Sequence, residues 1–167
     1  MFWLPTVLAL WLVAGCASDI ASVDGRYRHT RYDFTVGFPG PTWKRGEIEG
    51  AWIAFQRPGP QTMSMQARCG RPLTEPVIMA RTLILGIPER RIIQSGPVQL
   101  AGGDGWTQTF DTRTDGVAVR VKTVTLVIEP CVYDWTLAAS GDFEDAERAF
   151  DAWWTSFRLG ASTPRGS

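Results

Sequence analysis

The sequence predicts an α+β domain in which an antiparallel sheet is flanked by helices, as an α/β/α layered sandwich. Two helical segments are separated by runs of alternating apolar and polar residues, so the order of elements is strands, helix, strands, helix. Asp115 and Gly116 stand between two such runs and favour a two-residue hairpin, because a type I′ turn needs positive φ at both positions. The expected domain covers residues 25–160, and a short polar tail covers residues 161–167.

Three strands are predicted before the first helix. Residues 32–38 alternate with period two and end at a Pro-Gly-Pro turn, and residues 51–55 form an apolar run that a second Pro-Gly-Pro sequence interrupts. In the third strand, residues 63–69, one face is polar and the other is apolar.

A first helix is predicted to begin at Thr74 and to end at Gly86. Thr74 offers an N-cap hydroxyl, Pro76 stands in the first turn where no backbone donor is needed, and glycine is the usual residue after a helix end. Arg90 and Arg91 follow, and we interpret them as solvated turn charges rather than as a clamp for an anion.

Four strands are predicted after this helix. They cover residues 92–100, 105–112, 117–128 and 131–139. In the third of them one face is apolar throughout, whereas the other face changes from charged residues to Val124, Leu126 and Ile128. We therefore expect only its second half to be covered on both sides, as by a packed helix.

The last predicted element is an amphipathic helix over residues 142–158. Asp142 is its expected N-cap, and acidic residues at its start with Arg158 at its end match the helix dipole. Its apolar residues fall within a stripe about 100° wide, which we expect to face the core. They are Phe143, Ala146, Phe150, Trp153, Trp154 and Phe157.

Composition excludes one class of function. The 17 basic and 17 acidic side chains cancel, whereas a nucleic-acid-binding protein needs clustered Lys and Arg to meet phosphates. The 8 tryptophans and 8 phenylalanines are interpreted as core residues rather than as a ligand platform.

The amino terminus has the pattern of an export signal. Residues 6–14 are an apolar run shorter than the ~20 residues of a membrane-spanning helix. The following Val-Ala-Gly-Cys16 sequence resembles the bacterial lipobox, although Val13 stands where leucine is commoner and no Lys or Arg precedes the run. An uncleaved N-terminal helix is the alternative, against which Pro5 and Gly15 both argue.

The lipobox resemblance implies that residues 1–15 are a cleaved signal peptide and that Cys16 carries the lipid anchor, with fatty acids such as palmitate. Residues 16–24 would then be the lipidated cysteine and a tether, and the domain would lie in the cell envelope. Ala17, rather than aspartate, follows Cys16, which favours the periplasmic face of the outer membrane over the inner membrane.

Cys69 and Cys131 remain as an even pair in an oxidising compartment, and we expect a disulfide bond between them. Two buried free thiols are one alternative, and a catalytic thiol paired with His29 is another. His29 stands among Arg26, Arg28 and Arg31, and such segments are usually solvated.

No cofactor is expected. His29 is the only histidine, so a metal site lacks ligands, and the glycine-rich residues 102–105 lack the lysine of a phosphate-binding loop and favour a hairpin turn. Residues 111–116 resemble a calcium loop only faintly, because Arg113 occupies a ligand position. No serine lies in a Gly-x-Ser-x-Gly elbow, and we expect no enzymatic activity.

Aromatic residues recur at diffuse positions near both ends of the expected domain. With their neighbours they are Tyr32–Phe34, Phe38–Pro39, Trp43, Phe143, Phe150 and Ser156–Arg158. In these residues the chain resembles the PsbP-like fold, which PsbP and the DcrB-type envelope lipoproteins share. The resemblance implies a binding or assembly accessory and transfers no active site.

The expected function is therefore a membrane-anchored, non-enzymatic binding or assembly module with an envelope protein as partner. A carrier of an apolar ligand in a sheet–helix cavity is the first alternative, and a hydrolase with scattered site residues is the second. The loop that holds Trp43, Lys44 and Arg45 is the candidate partner site, because aromatic and basic residues together are enriched at binding hot spots. Alternatively, Trp43 folds back over the core.

Overall fold

The computed structural model describes residues 20–70 and 73–160, which form two antiparallel sheets and two helices. The strands are β1 (Ile20–Val23), β2 (Arg26–His29), β3 (Phe34–Gly37), β4 (Lys44–Gly46), β5 (Ile53–Arg57), β6 (Gln61–Cys69), β7 (Arg91–Leu100), β8 (Gly103–Thr114), β9 (Val117–Ile128), β10 (Cys131–Ala139) and β11 (Arg158–Leu159). The helices are α1 (Pro76–Leu83) and α2 (Phe143–Thr155). None of the helices in these ranges is long and apolar enough to cross a membrane.

The strands divide between two sheets, whereas a single sheet was predicted. A large sheet has the order β4-β5-β6-β10-β9-β8-β7, and a small sheet has the order β1-β2-β3-β11. β3 therefore pairs with β2 and β11 and only packs against the large sheet, so that Phe34 and Val36 are fully buried between the two sheets. The apolar alternation of residues 32–38 indicated this strand but carries no information about its hydrogen-bonding partners.

The large sheet is covered on both faces. On one face, α2 and the small sheet enclose the main core, where the Phe34 ring lies 5.7 Å from Tyr133 and the Phe55 ring lies 5.2 Å from Trp153. On the other face, α1 covers a smaller cluster of Ile84, Phe110 and Val121. The layers are thus α2 with the small sheet, the large sheet, and α1.

Several local predictions are confirmed. β9 and β10 have the expected bounds, and the turn between β8 and β9 has φ of 50° at Asp115 and 80° at Gly116. β9 is exposed at its start and buried at Val121 and from Thr123 to Leu126, as its change of pattern predicts. Asp142 accepts a hydrogen bond from the backbone N–H of Asp145 and begins α2.

The predicted start of α1 is wrong by one residue. Glu75, not Thr74, is the N-cap residue, and no side chain caps the helix there.

Arg90 is exposed between α1 and β7, as predicted for a solvated turn charge, and it has a further structural contact. Its Nη1 donates to the carbonyl oxygens of Ile84, Leu85 and Ile87. These carbonyls lie at and just beyond the carboxyl end of α1, where helical partners are missing. Arg90 therefore closes the helix end.

The folded domain begins earlier than the predicted boundary at residue 25. β1 lies in the segment predicted as a tether, and it pairs with β2 in a register that places Ile20 opposite His29. Ile20 packs against the main core, which gives this short strand a tertiary contact that its mostly small, polar neighbours do not reveal.

The glycine-rich segment is partly a turn and partly a strand. Ala101 and Gly102, with φ of 52° and 81°, form the turn between β7 and β8. Gly103 and Gly105 lie inside β8, where a Cβ atom on Gly105 would come within 2.6 Å of the Thr125 carbonyl oxygen and 3.0 Å of Val98. Because Gly105 has no side chain, side chains of the two neighbouring strands can pack together across β8.

Candidate functional site

The predicted cysteine pair is confirmed as a disulfide. Cys69 on β6 and Cys131 on β10 lie directly opposite each other and are bonded. Both alternatives for these residues, free buried thiols and a catalytic thiol, are thereby removed. Cys16 lies outside the described residues.

His29 is not solvated. It is 3% exposed, its ring lies 4.3 Å from that of Trp52, and its Nδ1 accepts a hydrogen bond from the backbone N–H of Tyr32. Side chains alternate along β2, so the arginines at 26 and 28 lie on the outer face while His29 faces the core. The flanking arginines therefore misled the sequence prediction.

The predicted partner residues Trp43, Lys44 and Arg45 do not form one exposed group. Trp43 is 6% exposed and belongs to the main core, with the Arg57 guanidinium 4.8 Å from its ring. Lys44 and Arg45 are both exposed, and Arg45 lies 5.2 Å from the Tyr27 ring and donates to the Trp52 carbonyl oxygen. Trp43 is thus a core residue, which was the alternative for this loop.

Exposed apolar side chains instead concentrate where α1 meets the edge strand β7. The described residues include eight large hydrophobic residues that are exposed, and four of them lie on α1, on β7 or in the connection between them. These four are Ile78, Leu85, Ile92 and Ile93. Leu85 is 66% exposed, and a group of exposed apolar residues is typical of an interaction site.

A groove of about 320 Å³ runs between α1 and β7. We call it the α1–β7 groove. Its lining residues are Arg81, Ile84, Leu85, Arg90, Ile92, Ser95, Trp106 and Gln108. A second groove, of about 570 Å³, lies at the amino end of α1 and shares Trp106 with the first. Both grooves lie between α1 and the sheet and are open to the surface.

Hydrogen bonds hold the walls of the α1–β7 groove in place. Gln108 on β8 is buried and donates from Nε2 to the Ala80 carbonyl oxygen at 2.8 Å, which fastens α1 to the sheet. Thr112 donates to the Pro88 carbonyl oxygen at 2.7 Å and fastens the connection after the helix. With Arg90 closing the helix end, the groove is preformed rather than assembled on binding.

The α1–β7 groove has an apolar lining that also carries positive charge. Arg81 and Arg90 are its charged lining residues, and no carboxylate from the described part of the chain lines it. No strand among residues 20–70 and 73–160 pairs with the outer edge of β7, so backbone groups along that edge face outward. An extended segment with apolar side chains and a carboxylate has the matching chemistry, because a peptide can add to a sheet edge through main-chain hydrogen bonds.

The ionisable groups with shifted pKa values are engaged in structural contacts. Asp111 accepts hydrogen bonds from Arg120 and Arg91, both at 2.7 Å, and these bonds lower the pKa of Asp111. They form one wall of an open groove of about 500 Å³ near Phe143. A carboxylate held by two guanidinium groups is a weak base, so this arrangement does not favour acid–base catalysis.

A second shifted group lies inside the large sheet. Asp134 has a fully buried side chain, and burial raises its pKa, while hydrogen bonds from Thr125 at 2.7 Å and Arg68 at 2.7 Å oppose that rise. Burial also raises the pKa of Tyr133 to about 12. The described part of the chain contains no group of three or more His, Cys, Asp or Glu residues that could hold a metal ion.

No family model and no curated relative matches the sequence. Solved structures do match the fold. The chain is similar to cyanobacterial PsbP (CyanoP) from Synechocystis sp. PCC 6803, with a TM-score of 0.59 and 11% identity over 87% of this chain and 95% of that one. It is also similar to LpqN, a protein involved in cell envelope biogenesis of Mycobacterium tuberculosis, with a TM-score of 0.59 and 17% identity over 78% and 86% of the two chains. The expected PsbP-like α+β fold is therefore confirmed.

Proposed function

We propose that this protein is a lipid-anchored envelope lipoprotein that acts as a non-enzymatic binding module and receives its partner in the α1–β7 groove. The observation that carries the proposal is the groove itself, where exposed Leu85 and Ile92 lie beside Arg81 and next to a free sheet edge. The partner is an envelope protein that presents an extended segment with apolar side chains and a carboxylate.

Three observations support an envelope location. The lipobox resemblance at Cys16 implies lipidation, and the Cys69–Cys131 disulfide is typical of proteins outside the cytoplasm. LpqN, which has a similar fold, is described as a protein of cell envelope biogenesis. By sequence, the DcrB-type lipoproteins are the group we expect this chain to join, and the periplasmic face of the outer membrane is its proposed address.

The lipid anchor is tested by labelling cells with a radioactive or clickable fatty acid. The wild-type protein is expected to take up the label, and Cys16→Ser is expected to take up none, because the variant lacks the thiol that accepts the lipid. Ser18→Ala, two residues after Cys16, is the matched control and should be labelled like the wild type, because it keeps the thiol and the disulfide. Equal labelling of wild type and Cys16→Ser would contradict the anchor.

The groove is tested with a photo-crosslinking amino acid at position 85, in the membrane-anchored protein in cells. We expect a discrete protein adduct that Ile92→Asp abolishes, because a carboxylate in the groove wall repels the partner's own carboxylate and removes apolar contact. Ile92 is 48% exposed, so the thermal midpoint should stay nearly unchanged.

Val117→Asp provides the control, since Val117 is similarly exposed at 52% but lies at the tip of the β8–β9 hairpin. The protein with Val117→Asp should still form the crosslinked adduct. Adducts that persist in Ile92→Asp, or that disappear equally in Val117→Asp, would rule out the groove as the partner site. A lipid adduct in place of a protein would favour the carrier.

A further inference from the structure

The outer face of the small sheet carries arginines from both ends of the chain. Arg28 on β2 pairs with Thr35 on β3, which in turn pairs with Arg158 on β11, so these three side chains form a row across the sheet. Phe34 and Val36 alternate with Thr35 and face the core, which places the row on the outside. Arg26 lies on the same face. Arg31 is exposed in the turn directly after β2, with its guanidinium 5.4 Å from the Tyr32 ring. We use the name arginine face for Arg26, Arg28 and Arg158 together with the adjacent Arg31.

Among the described residues, carboxylates compensate only part of this charge. Asp33 forms an ion pair with Arg28 at 2.9 Å, and Asp24 lies in the turn between β1 and β2. Arg26 donates to the Thr35 hydroxyl and to a backbone carbonyl, and Arg158 donates to backbone carbonyls, so these hydrogen bonds neutralise neither charge. Val23, 47% exposed, adds an apolar side chain to the same outer face. The combination of arginine and apolar groups suits an anionic lipid surface.

The short linker between Cys16 and β1 brings the arginine face close to the membrane. Only three residues, 17–19, separate Cys16 from β1, and a fully extended chain of that length spans about 14 Å. On the proposed lipid anchor, on which this step rests, the first residue of β1 stays within that distance of the headgroups. A surface potential decays over roughly 8 Å at physiological ionic strength, and the short linker lets the arginine face approach the bilayer closely enough to be attracted.

We propose that the arginine face lies against anionic lipid headgroups and holds the anchored domain in one orientation. The large sheet and α1 follow outward from the small sheet, so the α1–β7 groove lies on the side away from the bilayer, roughly two layer spacings of 10 Å farther out. The orientation leaves the groove open to a partner instead of pressing it against lipid.

The acidic residues at the start of α2 do not cancel the charge of this face. They lie near the amino end of a helix of 13 residues, about 20 Å long, whose other end leads into Arg158, so they are more than a screening length away. Two of them also have their own partners, since Asp145 pairs with Arg57 and Arg148, and Glu147 pairs with Lys122.

The test uses the full lipoprotein, purified from membranes and reconstituted into phosphatidylcholine vesicles with or without phosphatidylglycerol. A fluorescent amino acid replaces either Val23 on the arginine face or Leu85 beside the groove, and spin-labelled headgroups quench it. On anionic vesicles, we expect stronger quenching at position 23 than at position 85. The difference should disappear on neutral vesicles and at high salt, because both remove the electrostatic attraction.

Charge variants identify the residues responsible. Arg28→Gln, Arg31→Gln and Arg158→Gln together should shift the equilibrium away from the docked orientation by on the order of a hundredfold, at roughly fivefold for each arginine. Replacing the same three arginines by lysine should preserve the docked orientation, because the positive charge is kept. Arg26 is left intact because it bridges to Thr35 and Ser156. The matched control carries the same change at three exposed arginines on other surfaces, Arg81, Arg113 and Arg148, and should dock like the wild type.

The outcomes separate this inference from the lipid anchor. The mass of the purified protein first reports whether Cys16 carries lipid, and a chain without lipid would overturn the anchor and the short linker on which the orientation depends. A lipidated chain with equal quenching at both positions on anionic vesicles would overturn the orientation alone. Equal effects of the arginine-face and control variants would show that total charge, and not this face, governs membrane contact.

Discussion

Replacing Cys69 and Cys131 together by alanine is expected to lower the free energy of unfolding by about 4 kcal/mol. The bridge closes a loop with a sequence separation of 62, and by the chain-entropy estimate it removes that much freedom from the unfolded chain. The loop contains α1 and the strands β7 to β9, so the bond joins β6 and β10 across nearly half of the domain. Both residues also contact the main core, and the loss of two sulfur atoms adds a smaller packing cost.

Urea unfolding of the wild type and the double variant, with and without a reducing agent, measures this effect. The reductant should destabilise the wild type almost to the level of the variant and should leave the variant unchanged. Alkylation of the denatured, unreduced wild type should find neither of these two cysteines free. A difference below 1 kcal/mol between the two proteins would contradict the expected contribution of the bond.

Trp43→Ala is expected to cost about 3–5 kcal/mol of stability, the usual range for truncation of a buried aromatic residue. Trp43 packs in the main core under the Arg57 guanidinium, and removal of the indole leaves a cavity and an unstacked cation. This expectation opposes the sequence-based hypothesis that Trp43 is a partner anchor, since truncation of an exposed anchor hardly changes stability.

Two variants sharpen the Trp43 prediction. Trp43→Phe should be much milder, because the buried Nε1 has no hydrogen-bond partner in the described structure and its loss leaves no acceptor unpaired. Trp154→Ala should also cost less, since Trp154 is only partly buried and its indole donates to Asp151 at 2.9 Å. Thermal and urea unfolding measure all three. A thermal midpoint of Trp43→Ala equal to that of the wild type would return Trp43 to the candidate partner residues.

The elements that the sequence predicted well are those whose signals are local. The Asp115–Gly116 turn, the bounds of β9 and β10, and the Asp142 cap with its apolar stripe each depend on residues within a few positions of one another. A period of two or of 3.6 reports which side of an element is buried, and that is a property of the element alone.

The features that the sequence could not reveal depend on contacts between elements that are far apart along the chain. β11 has only two residues and no pattern of its own, yet it completes the small sheet by pairing with β3. The sequence does not show that Arg90 contacts the carbonyl groups after α1, nor that the Trp52 ring packs against His29. The α1–β7 groove exists only because a helix crosses the sheet beside an edge strand.

The arginines show the same division between sequence and structure. By sequence the chain has 17 basic and 17 acidic side chains and no net charge, which rules out a uniform basic surface. Antiparallel pairing of β2, β3 and β11 then brings Arg28 and Arg158, 130 positions apart, into one row. Composition determines total charge, but the pairing of distant strands decides where on the surface that charge lies, because hydrogen-bond register acts between segments that the sequence keeps apart.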